Sequence, residues 1–180
     1  ILPLTQIMNK SEKERLEEYA IKYFTAAYPR QLRSLLHSDK PDFTLLDESN
    51  KSKIGVEVAH LWHDKEEAKI LLGRSEKTVH GIMNAADLIR VLNELLMQKA
   101  NKIVGFKKHD KFFLIIRVAS PIFDKSTFDM YEDDIICPVN DYDEIWLVLD
   151  DNSKSGRWTE LKEIKSDNIT QHGLAGERAN

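Results

Sequence analysis

Two carboxylates in neighbouring extended segments are the residues most suited to chemistry. Asp42 follows Pro41 at the start of one run, Glu57 lies in the next, and the polar stretch Glu48-Ser49-Asn50-Lys51 joins them. From Asp42 to Asp47 and from Lys53 to Ala59, large apolar side chains alternate with small or polar ones, so the segment predicts a β-hairpin with a four-residue loop. That loop pairs Asp42 with Glu57, Phe43 with Val56 and Thr44 with Gly55. One side then presents Phe43, Leu45, Ile54, Val56 and Val58 as a core face, and the other presents Asp42, Thr44, Gly55, Glu57 and Ala59. Directly opposed residues bring their Cβ atoms within about 5.5 Å. Two carboxylates that close repel unless a proton or a cation lies between them. A hard divalent cation such as Mg²⁺ answers that need, because it takes carboxylate oxygens and keeps waters for a substrate phosphate.

The elements that must position these acids are legible in outline. Leu16, Ala20, Tyr23, Phe24 and Ala27 recur at helical spacing from Ser11 to Tyr28, and Pro29 stops the pattern. A second, short helical pattern runs from Arg30 to His37 and ends at Ser38-Asp39-Lys40-Pro41. Asp64 and Glu67 make a capping box for a helix through Leu72, followed by a polar connection from Gly73 to Gly81. The longest helical pattern spans Ile82 to Ile103. Phe112 to Val118 (FFLIIRV) and Glu144 to Leu149 (EIWLVL) are continuous apolar runs, the mark of strands covered on both faces, with Trp146 in the core. Between them, Asp124 to Asp143 reads as a long surface excursion. The expected architecture is α/β: a central mixed sheet of at least four strands flanked by helices.

Composition bounds the rest. With 180 residues, 42% hydrophobic and 31% charged, and only 7 Gly and 5 Pro, the chain predicts one globular domain over residues 1–165 and a frayed polar tail over 166–180. No stretch approaches the ~20 apolar residues of a membrane span, so no membrane partner and a cytoplasmic location are expected. The single Cys137 can form neither an internal disulfide nor a thiolate metal cage. A net charge of −4 argues against coating nucleic acid by bulk charge. Ten acidic residues against one lysine between Asp124 and Asp151 repel phosphate from that face.

Pro41-Asp42-Phe43, the hairpin, and Ile54-Gly55-Val56-Glu57-Val58-Ala59 together resemble the PD-(D/E)XK nuclease superfamily, the restriction-endonuclease-like fold. The resemblance covers the span from the first helix to the strand at Phe112. It implies that Asp42 and Glu57 bind Mg²⁺ or Mn²⁺ with the main-chain carbonyl of Val58, that the ion activates a water and stabilises charge on phosphate, and that the cut ends carry 5′-phosphates. This sequence departs from the family at Ala59, where a lysine is expected. Some members supply that lysine from a neighbouring helix. Lys99 falls at the edge of the stripe Ala85, Ile89, Leu92, Leu96 and Ile103, in line with Leu88, Leu92 and Leu95, and is the first candidate. Lys102 is less inward and is a candidate nucleic-acid contact. Members also add an acid from the helix before the hairpin; Glu17 projects beside Ile21, Phe24 and Tyr28, whereas Glu18 points to solvent.

Each residue also has a plainer reading. Asp42 after a proline is a common turn-former, Lys99 can snorkel from a helix boundary, and charged residues such as Glu17 flank every amphipathic helix. His60 and His63 do not share a face in an extended chain, so they do not make a zinc pair. His60 is instead a candidate phosphate contact, and Lys65, Lys69 and Arg74 a candidate phosphate track. The leading expectation is a Mg²⁺- or Mn²⁺-dependent phosphodiesterase with nucleic acid, DNA first, as its partner; assembly as a homodimer stays open. The alternative is a degenerate module of the same fold that binds nucleic acid or a protein without cutting. A two-carboxylate glycosidase needs its acids about 5 to 9.5 Å apart and suits a facing hairpin pair less well.

Overall fold

Six strands form one open mixed sheet whose spatial order follows the chain. The computed structural model describes residues 4–61, 84–100, 109–153 and 157–165, with side chains from residue 12 onward. After helix α1 (Leu4–Ala27) come β1 (Leu32–His37), β2 (Phe43–Asp47) and β3 (Lys53–His60), which pair as an antiparallel meander. β4 (Lys111–Ala119) and β5 (Glu144–Asp150) continue the sheet in parallel with β3, and β6 (Thr159–Lys165) returns antiparallel at the far edge. Parallel neighbours need a crossover connection. Helix α2 (Ala85–Ala100) lies in the first crossover and the short helix α3 (Lys125–Met130) in the second.

Local rules account for most of the element ends. Pro29 closes α1, with the Tyr28 amide still donating to the Phe24 carbonyl. Asp124 caps α3 by accepting from the Thr127 amide at 3.2 Å. In the hairpin, Phe43 pairs with Val56, Thr44 with Gly55, Leu45 with Ile54 and Leu46 with Lys53, the expected register. Lys51 turns the chain at φ 62°, and the Asp47 amide closes the loop on the Ser52 carbonyl at 3.0 Å.

The strands bury two faces. Ala20, Ile21 and Phe24 of α1 pack on Phe43, Leu45, Ile54, Val56, Val58, Phe113, Ile115 and Val148, so the predicted hairpin core face is the face beneath α1. Leu88, Ile89, Leu92 and Leu96 of α2 pack on the other face with Ala59, Leu114, Ile116, Val118, Ile145, Leu147 and Leu149. β4 and β5 contribute to both clusters, which is why their sequences lack alternation. Trp146 is partly buried and packs with Phe24 and Tyr28.

Two expectations need correction. Arg30 to His37 is not a helix: from Leu32 it is edge strand β1. The span from Asp124 to Asp143 is not merely a surface excursion, since it folds α3 and a short 3-10 turn, Glu132–Asp134, and buries Phe128 and Tyr142. Strand β6 went unread. The predicted helix Asp64–Leu72, the connection Gly73–Gly81 and the tail from Ser166 lie outside the described residues. No helix among the described residues is long and apolar enough to cross a membrane.

Phe24 is fully buried between Tyr28, Phe113 and Trp146. Truncation there removes the aromatic centre of the α1 layer, so Phe24→Ala should lower unfolding stability by about 3 to 5 kcal/mol, read from urea denaturation midpoints. A loss below about 1 kcal/mol would show that α1 is not part of the cooperative core.

Candidate active site

Glu57 is the pivot of the site. It projects from β3 toward α2, and its side chain keeps only 16% of its surface exposed. Lys99, on the last turn of α2, places Nζ 2.5 Å from Oε1. The Tyr142 hydroxyl donates to Oε2 at 2.6 Å. Each carboxylate oxygen thus has one donor, and a carboxylate with about four lone-pair sites still has acceptor capacity. Burial, followed by the bond to Glu57, raises the Tyr142 phenol, which stays a neutral donor. Tyr142 escaped the sequence reading because it sits in the acidic stretch; its signal was an aromatic ring directly ahead of an apolar strand.

Asp42 lies one residue before β2. The ladder ends at the Phe43–Val56 pair, and beyond it Asp42 Oδ2 accepts the main-chain amide of Val58 at 2.8 Å. Desolvation is the largest influence on its carboxyl, which is pushed up to about 6; the Val58 amide and Lys13 oppose the rise, while the charges of Glu17 and Glu57 add to it. Asp42 is therefore short of positive charge. Glu17, 5% exposed, reaches this end of the hairpin from α1, with Oε2 3.1 Å from His37 Nε2 and Oε1 3.3 Å from Lys13 Nζ. Glu18 is largely exposed, as its helical position requires. His37 stacks on Phe43 at 4.2 Å and so fixes the strand end beside Asp42. It was missed because its segment read as helix.

The structure thus bonds Lys99 to Glu57 and sets Asp42 within electrostatic reach of Glu17 and Glu57 at one end of the hairpin. The rest of that hairpin face is closed. His109 bonds Thr44 at 2.9 Å, His109 and Phe112 cover Gly55, and Ala59 is buried under α2. A Cβ on Gly55 would meet the Phe112 ring at 3.1 Å, so this side chain-free position permits the close approach. His60 is not with the acids. It faces α1 beside Arg117, its strand neighbour, and burial, then the Arg117 charge, lowers its imidazole to about 4. A neutral ring on the opposite face brings no charge to a phosphate at Glu57. Lys65, Lys69, Arg74 and Lys102 lie outside the described residues.

Among the described residues, no three His, Cys, Asp or Glu side chains are grouped to hold a metal ion. A cation here would be held by the carboxylates of Asp42 and Glu57, with main-chain oxygen, Val58 being the candidate, and water completing the shell. Such an all-oxygen donor set suits Mg²⁺ or Mn²⁺ and not a thiolate or imidazole metal. Burial is the main cause of the raised Asp42 carboxyl, with the charges of Glu17 and Glu57 adding to it, and a cation at this place would relieve all three. Comparison with known proteins adds nothing: no family model, no curated protein and no solved structure matches the chain.

Because Asp42 binds its proton more tightly folded than unfolded, its contribution to stability is fully present below about pH 4 and is lost as pH rises through about 6. In chelator, Asp42→Asn should match wild type at pH 4 and exceed it above pH 6.5 in urea midpoint. Equal midpoints across that range would mean Asp42 is not desolvated.

Proposed function

We propose that the chain is a metal-dependent nuclease that hydrolyses phosphodiester bonds in DNA, with a restriction-endonuclease-like core running from α1 to β4. The observation that carries this reading is the Lys99 ammonium, brought from α2 onto Glu57. In this reading Lys99 takes the role of the strand lysine that Ala59 replaces. Asp42 at the entry to β2 and Glu57 within β3 support the same reading, since adjacent strands present both acids at one end of the hairpin.

In this reading Asp42 and Glu57 hold Mg²⁺ or Mn²⁺, and the bound ion supplies an activated water and charge stabilisation at the phosphate. The protein's own groups have separable roles. The Val58 amide fixes Asp42, and Tyr142 and Lys99 fix the two oxygens of Glu57. Lys99 also offers a desolvated positive charge to oxygens that gain charge as the phosphodiester breaks. Glu17, tied to His37 and Lys13, adds negative charge beside Asp42 and strengthens its demand for a cation.

One observation favours the second reading, a module of the same fold that binds without cutting: Lys99 is already neutralised by Glu57. Cleavage separates the two. Supercoiled and linear DNA incubated with Mg²⁺ or Mn²⁺ should be cut by wild type, and chelator should abolish cutting. Asp42→Ala and Glu57→Ala should lose activity, Lys99→Met should lose about 100-fold or more, and Tyr142→Phe about tenfold. Absent cleavage with retained DNA binding would replace the nuclease by the binding module, and cleavage that chelator leaves intact would overturn the metal-dependent reading.

A further inference from the structure

A cavity lies on the α1 face, at the carboxyl ends of β3, β4 and β5. Its volume is about 470 Å³, and Arg15, Tyr19, Tyr23 and Arg117 wall it with Asn152 and Ser153 at the mouth of the β5 exit. Glu57 cannot reach it, because three residues along β3, about 10 Å, and the thickness of the sheet intervene. None of the residues assigned to the nuclease reading lines it.

The wall is built around Arg117, only 4% exposed. Its Nε and Nη2 bond the two oxygens of Asp150 at 2.9 and 3.0 Å, a bidentate pair that locks the guanidinium plane. Those bonds leave the Nη1 donors for a ligand. Tyr19 and Tyr23 stack on each other at 6.2 Å, and the guanidinium sits 5.8 and 5.4 Å from their ring centres. Tyr19 is 41% exposed, so its ring also offers aromatic surface to the cavity. Burial, then the Asp150 charge, raises the Tyr23 phenol and keeps it a neutral hydroxyl. Beyond Asp150, the left-handed Asn152 at φ 57° lets its amide bond back to Asp150 at 3.1 Å, which turns the chain around the cavity.

The pair itself is sealed, its side chains 4% and 2% exposed, and it holds Arg117 at the edge of the cavity beside a second, exposed arginine, Arg15. Guanidinium groups with an adjacent aromatic ring are the chemistry that receives a phosphate and a base together. Asp150 cancels one of the two positive charges, so the cavity suits one phosphate group, a strand's singly charged phosphodiester or a nucleotide's monoester, better than a triphosphate.

We propose that this cavity is a nucleotide subsite that takes one nucleoside monophosphate unit, its phosphate on Arg15 and Arg117 and its base against Tyr19. The unit is either a free nucleotide or one residue of a single strand. The assignment needs neither a metal nor the nuclease reading, and it is tested without either.

Calorimetric titration of the full chain in chelator compares thymidine monophosphate, thymidine triphosphate, inorganic phosphate and octathymidylate. Arg117→Ala would leave Asp150 buried and uncompensated, so the exposed Arg15→Glu and Tyr19→Ala carry the test, with folding checked by circular dichroism. The monophosphate should bind, the triphosphate no more tightly, and inorganic phosphate at least about tenfold more weakly; each variant should weaken monophosphate or octathymidylate binding about tenfold or more. Tighter octathymidylate identifies a strand as the source, tighter monophosphate a free nucleotide. The subsite is refuted if both fail to bind at millimolar concentration, if phosphate alone binds as well as the nucleotide, or if folded variants bind like wild type.

Discussion

A carboxylate in the interior half of a sheet has to be answered by charge or by donors, and the arrangement around Glu57 is that answer. Lys99 comes from α2 and Tyr142 from the segment leading into β5, so two separate connections are held in place by one acid on β3. Removing either partner would leave Glu57 partly desolvated and underbonded, a costly state. The same constraint acts at Asp42, where a single main-chain amide is a weaker answer and the carboxyl rises toward neutrality. One acid satisfied and its neighbour deficient is an asymmetry that a shared cation would remove. The cation site proposed for these two residues follows from that imbalance.

Helix α1 serves both ends of this economy. Its inner stripe of Ala20, Ile21 and Phe24 packs on the sheet, while Glu17 faces the hairpin end and Tyr19 and Tyr23 flank Arg117. A single helix therefore contributes side chains both to the hairpin end and to the aromatic and arginine cavity.

Much of the hairpin end was readable because two periodicities agreed. Alternation fixed the hairpin register, so Phe43, Leu45, Ile54, Val56 and Val58 fell on the core face. Helical spacing separated buried Glu17 from exposed Glu18 and set Lys99 beside the buried stripe of α2. The misread parts have physical causes. Leu32, Leu35 and Leu36 have helical spacing, yet they lie on an edge strand with four exposed residues, where burial no longer enforces alternation. In β6 the charged Lys162 is buried against Asp129 rather than exposed, which hides the strand pattern. Tyr142 and the Arg117–Asp150 pair depend on contacts between residues 85 and 33 positions apart, and no local pattern encodes such meetings.

The central claim is that Asp42 and Glu57 share one divalent cation, and anomalous scattering from crystals grown with Mn²⁺ tests it most directly. The account predicts one peak within about 2.0 to 2.3 Å of a carboxylate oxygen from each residue, lost in Glu57→Gln crystals of the same form. A saturating Mn²⁺ soak that leaves this position empty, or that places the ion against only one of the two acids, would contradict it.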